Sequence, residues 1–160
     1  MSLTIEFSRF QSGADFMAAK NELDRYREKI PKWSNFLVID DDKGDATALR
    51  GVLHSWLGHD VDVRLAASLG GALDELNEQI PDVIFLDHLL SPRNDAAATI
   101  PYLRDIGYSG PIVVISGMMT IRTRRRLVEA GAFDTLHKDD MNSMSVASIL
   151  LRIAGLDVDV

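Results

Sequence analysis

The chain has 160 residues, 46% of them hydrophobic and 26% charged, which suits a globular domain with a real core and excludes a disordered or fibrous chain. Seventeen Lys and Arg face 24 Asp and Glu, and the formal charge of -7 argues against nonspecific nucleic-acid binding. The lack of cysteine excludes disulfides, thiolate metal sites and cysteine nucleophiles, and permits a cytoplasmic location.

The first ten residues alternate polar and apolar side chains and do not read as a signal peptide. No apolar run reaches membrane-spanning length. Residues 1–34 read as an N-terminal extension. Ser12 to Asp15 resemble a helix start, and Phe16, Ala19, Leu23, Tyr26 and Ile30 then recur at helical spacing until Pro31. This predicts one amphipathic helix, whose stripe either packs on its own domain or serves as a homodimer contact.

From residue 35 short apolar runs alternate with longer amphipathic stretches, which predicts an α/β domain over residues 35–155 and a short tail over 156–160. Phe36 to Ile39, Val83 to Leu86 and Ile112 to Ile115 are apolar throughout, as central strands covered on both faces must be. Residues 61–65 and 133–137 carry a polar residue at every second place and read as edges. The right-handed solution is a flavodoxin-like, doubly wound, five-stranded parallel sheet of order 2-1-3-4-5. Apolar stripes at Leu49, Val52, Leu53, Trp56 and Leu57, at Leu69, Leu73, Leu76 and Ile80, and at Val146, Ile149, Leu150 and Ile153 supply helices to cover it. Pro101 interrupts the stretch 96–106, where a late start or a kink is expected.

In such a sheet ligands bind beyond the carboxyl ends of the strands, where strand order reverses. The first strand ends there in Asp40, Asp41 and Asp42, and the third in Asp87. Gathered carboxylates raise one another's pKa unless a cation neutralises them, so a divalent metal is expected, and oxygen-only ligands point to magnesium. The fourth strand ends in Ser116 and Gly117 and the fifth in Lys138. A carboxylate nucleophile, a hard cation, a hydroxyl and an ammonium are the parts needed to move a phosphoryl group.

Leu37 to Asp42, Pro81 to Asp87, Ile112 to Gly117, and Ala130 to Ala132 followed by Leu136 to Asp139 together resemble the response-regulator receiver family of two-component systems. The resemblance implies that Asp87 is the phosphoacceptor. It implies that Asp41, Asp87 and the backbone carbonyl of Leu89 bind Mg2+ directly, and that Asp40 does so through water. Ser116 and Lys138 would contact phosphoryl oxygens. The implied phosphodonor is a histidine kinase or a histidine phosphotransfer protein, and the output is a change in binding to a downstream protein, with the chain catalysing only its own phosphorylation and dephosphorylation.

Since only residues 155–160 follow the last expected helix, no output domain or direct DNA binding is expected within this sequence, which either acts alone or was cut from something longer, and its lack of a long apolar run predicts no membrane attachment. Thr135 stands where the family usually has an aromatic switch residue, and the loop after Asp87 has its proline displaced to Pro92. Leu89 and Met118 are apolar where the family orients the hydrolytic water, so slow loss of the phosphoryl group is expected. Asp42 reads as a solvated or helix-capping acid, His54, His59, His88 and His137 as structural, and the arginines at 122 and 124–126 as a solvated face or an anion contact. The alternatives are a haloacid-dehalogenase-type phosphatase using the paired aspartates and a pseudo-receiver adaptor that takes no phosphate.

Overall fold

A strand with apolar side chains on both faces has no side to offer to water, and the three runs of this kind lie at the centre of the sheet. The computed structural model describes Met17, Asn21 and residues 24–91 and 94–156. Strands β1 (Asn35–Ile39), β2 (Asp62–Ala66), β3 (Val83–Asp87), β4 (Ile112–Ser116) and β5 (Asp134–His137) pair in parallel in the order β2-β1-β3-β4-β5. The expected flavodoxin-like sheet is therefore present, with the two alternating strands at its edges.

Helices α1 (Lys43–Leu57), α2 (Leu69–Glu78), α3 (Ala96–Asp105), α4 (Ile121–Glu129) and α5 (Ser143–Ile153) alternate with the strands. Because successive side chains of a strand point to opposite faces, each central strand feeds two cores. Phe36, Val38, Phe85 and Val113 meet Leu49, Leu53, Val146 and Leu150 of α1 and α5. Leu37, Ile39, Ile84 and Val114 meet Ala72, Ile100, Leu103 and Leu127 of α2, α3 and α4.

Each helix begins at a side chain that accepts a hydrogen bond from its first turn. Asp42, Ser68, Asp95, Thr120 and Asn142 take the N–H groups of Asp45, Gly71, Ala98, Thr123 and Ser145. Of the late start or kink expected of α3, the late start is not found. The helix begins at Ala96 and runs through Pro101, whose ring is exposed, so water can serve the carbonyl that proline leaves without a partner.

Asp134, at the start of β5, is only 2% exposed. It accepts from Arg124 of α4 at 3.0 Å and from the Thr135 N–H at 2.7 Å, and pairs with Arg152 of α5. The edge strand is thus fastened to both flanking helices by a buried charge that has its partners. Among the described residues of the extension, Tyr26, Ile30 and Trp33 pack against the α1/α5 core, and the Arg27 guanidinium donates to the Trp56 carbonyl at 3.0 Å. Residues 12–16, Ala19 and Leu23 of the expected N-terminal helix, and Pro92, lie outside the described residues. No described helix is long and apolar enough to cross a membrane.

Gly131 closes α4 with φ +115°, and a Cβ there would stand 3.2 Å from Ile100 Cγ2. Both the backbone conformation and the contact disfavour a side chain. Gly131→Ala is expected to cost about 1–2 kcal/mol, read as a lower urea midpoint at unchanged slope. An unchanged midpoint would refute the account of this turn.

Candidate functional site

The register of the sheet assembles the acidic site. Ile39 of β1 stands opposite Leu86 of β3, so the next residues along the two parallel strands, Asp40 and Asp87, emerge together at their carboxyl ends. Asp41 follows Asp40, and one carboxylate oxygen from each of the three lies within 4.8 Å of the others. Asp40 and Asp87 are 2% and 7% exposed, and Asp41 faces solvent.

Lys138 enters from the other side, one residue beyond β5. It opens a short 3-10 turn (Lys138–Asp140) that His137 caps by accepting the Asp139 N–H on Nδ1 at 3.0 Å. The ammonium Nζ lies 2.8 Å from Asp45 Oδ2, 3.2 Å from Asp40 Oδ2 and 3.4 Å from Asp87 Oδ1. Its well-formed hydrogen bond goes to Asp45, and the other two contacts are ion pairs without hydrogen-bonding alignment. Asp40 Oδ1 accepts the Asp42 N–H at 2.9 Å, whereas Oδ2 is buried and accepts no hydrogen bond.

One ammonium cannot balance this many carboxylates. Burial, and then the charge of Asp40, push the Asp87 carboxyl up to about 7 from 3.8, against the opposing pull of Lys138. Burial alone would lower the Lys138 pKa, but its hydrogen bond to Asp45 and the charges of Asp40 and Asp87 outweigh burial and raise it. Three gathered carboxylates that share a single ammonium, with no sulfur or imidazole donor in the set, are ligands suited to a hard divalent cation.

Ser116 ends β4 one step past Ile115, the partner of Asp87. Its buried hydroxyl is turned to its own loop, donating to the Met118 carbonyl at 2.7 Å and accepting the Met118 N–H at 3.1 Å. After Asp87 the chain forms an antiparallel ribbon, Leu89–Ser91 with Asn94–Asp95. The His88 carbonyl accepts the Ala96 N–H at 2.8 Å and so faces the ribbon's second strand. Carbonyls alternate along an extended strand, and that of Leu89 is therefore turned away from it. The side chains of Leu89 and Met118 are 59% and 83% exposed.

The remaining residues named from the sequence lie around this centre. Asp42 caps α1. His54 Nε2 meets the Val61 carbonyl at 3.0 Å. The His88 ring is half-buried, with burial lowering its pKa and Asp95 and Arg126 acting in opposite directions. The arginine run is not simply solvated, since Arg124 holds Asp134 and Arg126 pairs with Asp95, the cap of α3, at 2.7 Å. Thr135 lines an open groove of about 630 Å³ with Met119, Arg124, Ile149 and Arg152. The contribution that reading the sequence missed is Asp45. It stands three residues after the cap of α1, and that spacing was the available signal, because the first turn of α1 starts at the site.

The sequence matches the model of the response regulator receiver domain over residues 36–148. The chain therefore belongs to the response-regulator receiver family, and the phosphatase alternative is set aside. It is 35% identical over 120 residues to the response regulator MprA of Mycolicibacterium vanbaalenii, covering 75% of this chain and 48% of the relative. It is 30% identical over 104 residues to the transcriptional regulatory protein ZraR of Salmonella typhimurium, covering 65% and 23%. The chain thus spans about half or less of the length of these curated relatives. Among solved structures, it resembles the signal receiver domain of a DNA-binding response regulator from Colwellia psychrerythraea, with TM-score 0.66, 20% identity and 76% and 98% of the two chains covered. It also resembles a response regulator from Burkholderia pseudomallei with a phosphorylated aspartic acid, a calcium ion and citrate, with TM-score 0.63, 29% identity and 76% and 69% covered.

The raised pKa of Asp87 has a consequence for stability. Between pH 4 and 7 the unfolded chain gives up this proton while the folded one keeps it, so the unfolded state gains and stability falls as pH rises. Above pH 7 the cost of the buried charge is fully present. Asp87→Asn removes it, so in metal-free buffer the variant should melt several degrees above the parent at pH 8, at roughly 2–4 °C per kcal/mol. The gap should shrink toward pH 4. A gap independent of pH would contradict this assignment.

Proposed function

We propose that this receiver domain takes a phosphoryl group on Asp87 from a histidine kinase or a histidine phosphotransfer protein. In this reading Mg2+ is held by Asp41, Asp87 and the carbonyl of Leu89, with Asp40 binding through water. The observation that carries it is the Lys138 ammonium 3.4 Å from Asp87, among more carboxylates than it can balance. Such a site favours binding a divalent cation together with a phosphoryl group. The phosphorylated aspartic acid and calcium ion of the Burkholderia relative support the same reading.

Asp87 would attack phosphorus as the phosphohistidine P–N bond breaks and the imidazole leaves with the bonding pair. Magnesium, when bound, supplies positive charge to the phosphoryl oxygens. Lys138 offers a second cation on the opposite side. Ser116 would exchange its bond to the Met118 carbonyl for one to a phosphoryl oxygen, which links the modification to the loop after β4. With Thr135 in place of an aromatic, the readout would rest on this loop and the α4–β5–α5 surface, presented to a downstream protein.

Leu89 and Met118 reach solvent but cannot hydrogen-bond a water. A water left unoriented attacks slowly, so the acyl phosphate should be long-lived. Two measurements test the whole reading. Incubation with acetyl phosphate or beryllofluoride and Mg2+ should modify the protein, and Asp87→Asn or chelation should abolish the signal. A protein that responds to neither reagent would be a pseudo-receiver adaptor. In addition, the Leu89→Asn, Met118→Glu double variant should lose the phosphoryl group at least about ten-fold faster than the parent, and equal lifetimes would remove the role given to these two positions.

A further inference from the structure

The Lys138 ammonium has a partner that the receiver chemistry does not require. Asp45 comes from the first turn of α1, is not one of the three acids that could share a cation, and yet makes the shortest contact to Nζ, 2.8 Å. It is also the acid to which Lys138 gives its well-formed hydrogen bond, while Asp40 and Asp87 take ion pairs at 3.2 and 3.4 Å. The side chain of Asp45 is 38% exposed, so it would be well hydrated without the lysine. Its backbone N–H is already satisfied by Asp42. Nothing in the folding of α1 calls for its carboxylate to reach across to the residue after β5.

An acyl phosphate, or an anion that mimics it, carries its own demand for the same ammonium, and a charge-assisted hydrogen bond is strong enough for the competition to matter. Building on the receiver reading, we infer that Asp45 is a positioning residue that competes with the incoming phosphoryl group for the Lys138 ammonium and so lowers the readiness of the unmodified site. Removing its charge leaves Lys138 paired with Asp40 and Asp87, with one acceptor fewer competing for its ammonium. The effect of loss is therefore a gain, which structural damage does not produce.

The test uses beryllofluoride titrations at saturating Mg2+, followed by tryptophan fluorescence or NMR, on the parent and on Asp45→Asn and Asp45→Ala. Both variants should bind the anion about three- to ten-fold more tightly and accept phosphate from acetyl phosphate correspondingly faster. Asp42→Asn serves as the control for a general loss of negative charge. Asp42 does not contact Lys138 and its cap is retained by asparagine, so its affinity should stay within two-fold of the parent. Unchanged or weaker binding by both Asp45 variants would overturn the inference, as would an equal gain in Asp42→Asn. Failure of the parent itself to bind beryllofluoride would instead strike the receiver reading on which this one rests.

Discussion

The feature on which the rest of this structure depends is a shortage of positive charge at one edge of a parallel sheet. Register places Asp40 beside Asp87, chain continuity adds Asp41, and the only ammonium within reach among the described residues is that of Lys138. The fold has little freedom to relieve the crowding. The strands that carry the acids are buried on both faces, and shifting either by one residue would draw an aspartate toward the core and misfit the close-packed side chains on both sides. The charge imbalance is thus fixed by the same packing that makes the domain stable, and a folded chain is left with an unmet demand for a cation.

Secondary structure then determines what can respond to that demand. Asp87 and Ser116 are the last residues of β3 and β4, and Asp40 and Lys138 each stand one residue beyond β1 and β5. Ser116 is occupied with the backbone of Met118, and Lys138 with Asp45. In the proposed reading each of these two groups would exchange its present acceptor for a phosphoryl oxygen.

Much of this could be read from the sequence. Uninterrupted apolar runs mark the central strands, an acid or a hydroxyl after each of them marks one sheet edge, and Lys138 follows the alternating fifth strand at that same edge. Those signals are local, which is why they survive without coordinates. Contacts between side chains far apart in sequence gave no such signal: the reach of Asp45 to Lys138, of Arg126 to Asp95, and of Arg124 and Arg152 to Asp134 depends on how helices are set against the sheet. Of the late start or kink expected of α3, the late start is absent for a related reason. Proline weakens a helix at one backbone position, but Asp95 caps the N-terminus firmly and Pro101 faces water, so tertiary context outweighed propensity.

The pair between Arg126 and Asp95 ties α4 to the base of the ribbon that follows Asp87. Arg126 is 62% exposed, and an ion pair so open to solvent contributes at most about 1 kcal/mol, less as salt rises. The two segments are consequently joined by a clasp that ambient ions can loosen. Ionic strength thereby bears on how firmly the ribbon is fastened to α4, by no more than this one pair contributes.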